Sequence, residues 1–521
     1  MNVGRLLRTV RHLKPIQVVA RFWNKLPRRR PARNSLPVRG VCPQTAFPRY
    51  YPCWDGGTSF TFLHETHDVR TPADWNNPAW PKLWLYNLHY FDFLRSAQNT
   101  LPATSHIAIS DVPRSSGDGV AELLDRWLEE NPVGRGNGWE PYPISLRVVN
   151  WIKWLVSGAG ATTGTDLRAR LERSLCVQVR YLRKRLEYHL LANHLLANAK
   201  ALVFAGTYFA GAEAEGWLRK GMALYRKQLS EQVLSDGVHF ERSAMYHTII
   251  LEDLLDCFNL TGDAFFVPWI ERMHAGLALL TGPDGRIAKF NDAVEGIALA
   301  PAELQAYADQ LGRGALGERA LPLGKAASRR FGCDKCDPPA GGSGIVRMEA
   351  GAYVVLAKTG EIGPSYQPGH AHADTWTFEL WKDGVKAVTD TGCSTYVVGA
   401  VRSYERSTRA HNTVVVDGRD SSEVWASHRV GRRFDPAAHR REFRLGPDGL
   451  VGVDEVGGHG VHDVEIRFHL LPGAPVEVCC TGERSEEACE IAEGFGLRVP
   501  ARCVVFRSRV ELPARFEWSV R

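Results

Sequence analysis

Apolar residues recur at three- and four-residue spacing through Val120–Glu130, Ile144–Gly158, Asp166–Phe204, Ala212–Val233, Ser243–Leu260 and Phe265–Leu280. That is the period of helices with one face against a core. Turn residues separate these segments: Asn131-Pro132, Gly158 to Gly164, Gly206, Asp236-Gly237, Gly262-Asp263 and Gly282-Pro283-Asp284-Gly285. Consecutive helices with short connections predict an array of helical hairpins, which can close into a toroid. The pattern changes after Leu311. From Gly312 to Gly344 the chain is rich in Gly, Pro, Ala and charge, as a linker or long loop is. Short β-branched runs follow at Ala352–Ala357, Thr375–Leu380, Val385–Val388, Thr413–Val416 and Val464–Leu471. With the turns Asp383-Gly384, Asp417-Gly418 and Pro472–Pro475, they predict an all-β domain of sandwich type. The expected organisation is multidomain α+β, with a helical domain over 1–330 and a β domain over 331–521.

Composition narrows the class. A chain of 521 residues with 44% hydrophobic and 23% charged residues suits a soluble two-domain globular protein. Between Met1 and Leu26 the apolar residues are interrupted by Arg5, Arg8, Arg11, Lys14, Arg21 and Lys25. No stretch has the apolar core of a signal peptide or the length to span a bilayer. The expectation is a cytoplasmic protein without membrane insertion, with a periplasmic or secreted destination by a non-classical route as the alternative. The net charge of +6 fits an anionic partner, because a positive cleft concentrates such a ligand. Nucleic acid, acidic membrane and acidic glycan satisfy that equally. Arg28, Arg29, Arg30 and Arg33 beside Lys25 read as a solvated run. Aromatic residues cluster at Trp80, Trp84, Tyr86, Tyr90 and Phe91, where flat faces serve either sugar stacking or a core. Among eleven cysteines, Cys333-Asp-Lys-Cys336 is a lone C-x-x-C and reads as a loop feature, and the odd count fits a reducing compartment.

Three stretches carry candidate chemistry. In Pro368-Gly-His-Ala-His-Ala-Asp374 the two histidines are two residues apart and would face the same way on an extended strand. Such a pair can share a metal or divide into a ligand and a base. Asp390 and His411 follow at spacings compatible with neighbouring strand ends, and a His/Asp/His set suits zinc or another divalent ion. In Glu187-Tyr-His-Leu-Leu-Ala-Asn-His-Leu-Leu-Ala-Asn-Ala-Lys200, residues His189, Asn193 and Lys200 fall on one helical face opposite Leu191, Leu195 and Leu202. His194 and Asn198 lie off that stripe. In Asp236-Gly-Val-His-Phe-Glu-Arg-Ser-Ala-Met-Tyr-His247, a turn carrying His239, Glu241 and Arg242 leads into a helix with Ser243 as N-cap and Tyr246 in its first turn.

Together these words resemble the heparinase II/III family. The resemblance rests on Asn137-Gly-Trp-Glu-Pro-Tyr-Pro143, Asn193–Lys200, Glu241–His247, Phe290-Asn-Asp292, His370–Asp374 and Arg409-Ala-His-Asn-Thr413, in that order along most of the chain. It implies an incomplete (α/α) toroid before an antiparallel β-sandwich, and a lyase that cleaves uronate-containing acidic polysaccharide or oligosaccharide by β-elimination. Asn193 matches the residue that contacts the uronate carboxylate, and Tyr246 and His370 match the acid/base pair. A tyrosine base needs a lowered pKa, which Arg242 is expected to help supply. His372, Asp390 and His411 match the metal ligands, for zinc with manganese or calcium as alternatives, in a structural role. His189, His194, His239, Glu241, Arg242 and Arg409 are the expected substrate contacts, with Arg406 and Tyr404 beside them. A uronyl C5-epimerase and a non-catalytic glycan-binding protein of polysaccharide assembly are the alternatives. No nucleic-acid module is present in the sequence, and oligomeric state is not encoded in any pattern.

Overall fold

The computed structural model describes residues 3–26, 31, 38–40, 45–48, 53–95, 117–157, 164–315, 341–433 and 439–521. The Arg28–Arg30 and Arg33 run, Cys333 and Cys336, and most of the Gly312–Gly344 segment lie outside them. Among the described residues eleven α-helices precede the main sheet: α1 Val3–Val10, α2 Pro15–Lys25, α3 Lys82–Tyr90, α4 Gly117–Glu130, α5 Pro141–Val156, α6 Thr165–Arg183, α7 Ala192–Tyr208, α8 Ala212–Gln232, α9 Ala244–Thr261, α10 Val267–Leu279 and α11 Pro301–Ala315. Helix α7 is buried on nearly every side and packs against α5, α8 and α9, and its polar residues Asn193, Asn198 and Lys200 are each hydrogen-bonded. The predicted turn at Gly206 is instead the last turn of α7. A Cβ there would meet the backbone N of Leu218 at 2.5 Å, so glycine lets α7 and α8 approach closely.

The periodic stretch predicted as one helix over Asp166–Phe204 is two. Helix α6 ends at Arg183, and Leu191 and Ala192, the N-cap and first residue of α7, take positive φ values of 63° and 50°. Neither residue favours that region. The break is held by Asn198, whose Oδ1 accepts from the Glu187 N–H at 2.7 Å and whose Nδ2 donates to Glu187 Oε2 at 2.8 Å. The turn therefore persists because a residue of the following helix satisfies its polar groups.

Beyond residue 341 the structure is antiparallel β. Strands β1 Val38–Arg39, β2 Ser59–Phe62, β3 Glu65–Asp68 and β4 Phe209–Ala210 are short ladders of the helical portion. The main sheet has ten strands, on the path β14 (Val478–Cys480), β16 (Leu497–Val520), β13 (Gly449–Leu470), β8 (Val385–Val388), β7 (Phe378–Lys382), β6 (Tyr353–Lys358) and β5 (Ile345–Ala350). Strands β9 (Val414–Val416) and β12 (His439–Gly446) pair with β13, and β15 (Glu483–Gly494) with β16. A separate hairpin joins β10 (Ser422–Trp425) to β11 (Arg429–Arg433). The sheet curls around Val355, Phe378, Leu380, Ile466, Phe468, Phe506 and Trp518. The strand predicted from Thr375 begins only at Phe378, because Trp376 turns the chain at φ 66°. His370 and His372 therefore lie in a loop rather than on a strand.

The two portions share a core. Met245, Tyr246, Leu280, Ile287 and Phe290 of the helical portion pack with Ile345, Leu356, Trp381 and Phe495 of the β portion. Polar ties cross the same boundary: Lys289 and Arg286 reach Glu493, Ser343 Oγ donates to Asp236 at 2.6 Å, and Asn291 Nδ2 donates to the Ile362 carbonyl at 3.1 Å. This contact sets the site, since the segment after α10 carries Asp292 to the β-domain histidines.

Candidate active site

Where the helical and β portions meet there is a cavity of about 440 Å³ lined by residues of both. Asn193 enters from the first turn of α7 and Tyr246 from the first turn of α9. Ser243 caps α9 as predicted, its Oγ accepting from the Tyr246 N–H at 3.3 Å. His370 enters from the loop before β7. The Tyr246 and His370 rings lie 4.0 Å apart between centroids, tilted by 32°. The Tyr246 hydroxyl is 3.1 Å from that of Tyr396, whose ring also contacts His428 at 4.9 Å.

Carboxylates orient these groups. His370 Nδ1 is 2.8 Å from Asp292 Oδ2, and His372 Nε2 is 2.8 Å from Asp292 Oδ1. Arg402, on the short helix α12 (Ala400–Glu405), forks onto both oxygens of Asp292. Burial opposes the charge on Asp292, but the Arg402 guanidinium and the two imidazole hydrogen bonds hold its carboxyl well below the usual range. With Nδ1 held by that carboxylate, His370 presents Nε2 to the cavity. Nε2 lies 3.5 Å from Glu241 Oε2. Glu241 in turn accepts from Asn193 Nδ2 at 2.9 Å and from the Asn193 backbone N–H at 3.1 Å. The strained entry to α7 is what aims both Asn193 donors at Glu241.

The remaining predicted substrate contacts separate. His194 lines the cavity, its Nδ1 3.0 Å from Glu187 Oε1 and its ring 4.5 Å from Tyr142. His189 is turned away to Asn24 at 3.1 Å. His239 is buried against Gln232, and desolvation pushes its pKa down to about 4. Arg242 is directed at Glu361, so it does not lower the pKa of Tyr246. Burial instead raises that phenol well above its ordinary value, with Tyr142 adding to the shift. Arg409 is exposed and outside the cavity lining. Arg406 is buried and spends its guanidinium on the carbonyls of Ala371, Ala426 and Arg429, and Tyr404 also lies outside the lining. Of the aromatic cluster, Tyr86 and Tyr90 line the cavity, whereas Trp84 and Phe91 are core. Asp292, Tyr396, Arg402 and His428 carried no assignment from sequence. Only Asp292 had a signal, as the end of Phe290-Asn-Asp292.

The positive excess of the chain is not in this cavity. Among the described residues that line it the lysines are Lys153 and Lys200, and there is no arginine. Lys153 pairs with Asp256, and Lys200 with Asp253 at 2.6 Å and Asp256 at 2.5 Å. Asp92, Glu252 and Asp253 line the same space.

Two groups of side chains bear on metal binding. His372, Asp390 and His411 are fully buried, with His411 Nδ1 2.8 Å from Asp390 Oδ2 and the two rings 5.4 Å apart. His372 Nδ1 and His411 Nε2 are buried without a hydrogen-bond partner, as is Nε2 of neighbouring His469. Orphaned imidazole nitrogens beside a carboxylate are the donor set that a divalent ion takes, so these residues fit one. The second group, Asp292, His370 and His428, could also hold a metal, with donor atoms within 4.8 Å of one another. There Asp292 already serves a guanidinium and two imidazoles, which an added cation would have to displace.

Comparisons with known proteins agree with this architecture. The family description "Heparinase II/III N-terminus" matches residues 119–309, and "Heparinase II/III-like, C-terminal" matches residues 334–438. A heparin-sulfate lyase of Pedobacter heparinus is 25% identical over 327 residues, covering 56% of this chain and 47% of that protein. One from Bacteroides thetaiotaomicron is 24% identical over 415 residues, covering 68% and 58%. This chain thus spans about half the length of the curated relatives it matches. A crystal structure of heparinase III shares the fold at TM-score 0.67 with 16% identity, over 97% of this chain and 89% of that one. With both family regions matched over more than half of its length, the chain belongs to the heparinase II/III family.

Proposed function

We propose that the protein is a lyase of uronate-containing, glycosaminoglycan-like polysaccharide that cleaves by β-elimination and leaves a 4,5-unsaturated uronate end. The observation that carries this reading is the pair Tyr246 and His370, 4.0 Å apart, in one cavity with Asn193. β-Elimination needs three things there: neutralisation of the uronate carboxylate, a base for the C5 proton and an acid for the O4 leaving group. The Asn193 Nδ2 carries two N–H groups, and with one given to Glu241 the other donates to the carboxylate as it takes up enolate charge. His370 Nε2, held by the Asp292 contact at Nδ1, removes the C5 proton. The C4–O4 bond breaks as the C4–C5 double bond forms, and O4 takes the proton of Tyr246. Burial keeps that phenol protonated, which suits it to the acid role.

The charge inventory supports a substrate with few sulfates. Each lysine of the lining is already paired, so the cavity offers a uronate hydrogen-bond donors rather than unspent cations. A divalent ion, zinc by donor type, is held in this reading by His372, Asp390 and His411. When bound it supplies a fixed charge that clamps the loop carrying His370. Metal analysis of the purified protein is expected to show one equivalent, lost in His411→Ala together with thermal stability. A metal-free protein of unchanged melting temperature refutes this assignment.

The activity test follows absorbance of the unsaturated uronate on heparosan, heparan sulfate, hyaluronan, chondroitin and alginate. Heparosan is expected to be cleaved faster than highly sulfated heparan sulfate, and Tyr246→Phe and His370→Ala to abolish the signal. A substrate with fluoride at C4, whose departure needs no proton, should restore turnover to Tyr246→Phe but not to His370→Ala. A flat trace with folded, metal-loaded protein overturns the lyase reading, and solvent deuterium entering C5 in that case indicates an epimerase.

A further inference from the structure

Helices α1 and α2 are amphipathic in the reverse of the usual sense. On α1, Arg5 and Arg8 face the protein and pair with Glu423, and Thr9 Oγ1 accepts from Trp425 Nε1 at 3.2 Å. On α2, Gln17 is fully buried, its Nε2 reaching the carbonyls of Leu190 and Tyr366 at 3.4 Å, and Asn24 contacts His189. Lys14, just before α2, pairs with Glu231. The polar positions 5, 8 and 9, and again 17, 21 and 24, with the small Ala20 buried among them, thus form the inward faces.

The apolar faces are turned to solvent. Val3, Leu7 and Val10 of α1 are exposed, and so are Ile16, Val19, Phe22 and Trp23 of α2, with Phe22 at 68% and Trp23 at 61%. Among the described residues, eight of the thirteen exposed large hydrophobic side chains fall in this one segment. Scattered exposed apolar residues need no explanation, but a contiguous apolar stripe marks a contact surface.

Charge indicates the occupant. Residues 1–54 contain twelve Arg and Lys and no Asp or Glu, the first acidic residue being Asp55. The net charge of the whole chain is only +6, so the remainder is net negative. Arg11 and Lys25 are exposed at the margins of the apolar stripe. An apolar face with Trp and Phe, bordered by cations and free of acidic residues, is the chemistry of an interfacial helix on anionic lipid. A protein partner would ordinarily be met by a face of mixed charge. No helix of the described residues is long and apolar enough to cross a membrane.

We propose that α1 and α2 dock the protein on an anionic lipid bilayer, with the apolar stripe in the headgroup region. Helix α2 stands on Leu190 and Tyr366, and Leu190 and Gln367 line the cavity. Docking therefore holds the active-site region close to the bilayer. The proposal does not depend on which reaction the cavity performs.

The test is flotation of the 521-residue chain with vesicles of phosphatidylethanolamine and phosphatidylglycerol, against vesicles of phosphatidylcholine alone. Binding is expected to the anionic vesicles, to weaken with salt, and to fall about tenfold or more in Phe22→Ser/Trp23→Ser. Val19→Glu, on the same face, is a second variant, and circular dichroism and melting temperature establish that each remains folded. Failure of the folded parent chain to float with anionic vesicles overturns the proposal. Concentration-dependent self-association in analytical ultracentrifugation that the same substitutions abolish also overturns it, assigning the stripe to a second copy of the chain.

Discussion

Asp292, fully buried, faces His370, His372 and Arg402 at once. Removing its charge while keeping its shape tests whether it acts through His370. Asp292→Asn leaves Arg402 buried without its anion, which costs about 3–5 kcal/mol of stability. It also frees His370 from the orientation that presents Nε2, and kcat is expected to fall about 100-fold or more with KM nearly unchanged. The double variant Asp292→Asn/Arg402→Met should regain stability without regaining kcat. Recovery of both would show that Asp292 only supports the fold. At this scale the sequence displayed Asn193, Tyr246 and His370, because each sits inside a short word of ionisable residues. It did not display the role of Asp292, since that role is defined by partners at positions 370, 372 and 402. The arginine expectation failed for a related reason. Arg402 and Arg406 lie one helical turn apart, and only the fold decides that one meets a carboxylate and the other a ring of carbonyls.

The break between α6 and α7 depends on a single side chain. Asn198 bridges Glu187 and the Ser145 hydroxyl, which accepts from Asn198 Nδ2 at 3.0 Å. Asn198→Ala strands the Glu187 N–H in a buried turn and is expected to cost about 1–3 kcal/mol. Because the turn sets the entry of α7, the same variant should raise KM by releasing Asn193 from its present aim. Urea unfolding and steady-state kinetics read the two effects, and a variant with the parent's midpoint would remove Asn198 from this role. Periodicity could not show the break, for the apolar phase runs through it and Leu191 and Ala192 are not turn formers. Helix starts with chemical punctuation were legible, as at Ser243. The sheet was legible as β but not in its extent: β13 and β16, of 22 and 24 residues, interleave polar and apolar positions that read as separate short strands.

Across the whole molecule, buried histidines tie stability to pH. In the helical portion His89, His239, His247 and His274 are buried, and desolvation pushes their pKa values down to about 3, 4, 3 and 4. Each is neutral in the fold. His89, for example, accepts from Trp127 Nε1 at 3.1 Å and meets the Trp75 carbonyl at 2.9 Å. Unfolded, each would titrate near 6.5. The unfolded chain therefore binds protons first as pH falls, and stability present above about pH 6.5 drains away toward pH 4. One such histidine withdraws about 2 kcal/mol by pH 5. His194 acts in the opposite sense. Burial alone would lower its pKa, but pairing with Glu187 raises it, so its contribution is complete below about pH 6.5 and fades as pH rises through the raised value. Among the histidines of this portion the depressed groups, His189 included, outnumber the one raised. The urea midpoint followed by tryptophan fluorescence is expected to be clearly lower at pH 5 than at pH 7.5. His89→Gln, which keeps a donor and an acceptor but no proton uptake, should narrow that difference, and equal midpoints at the two pH values would refute the buried neutral histidines as its cause.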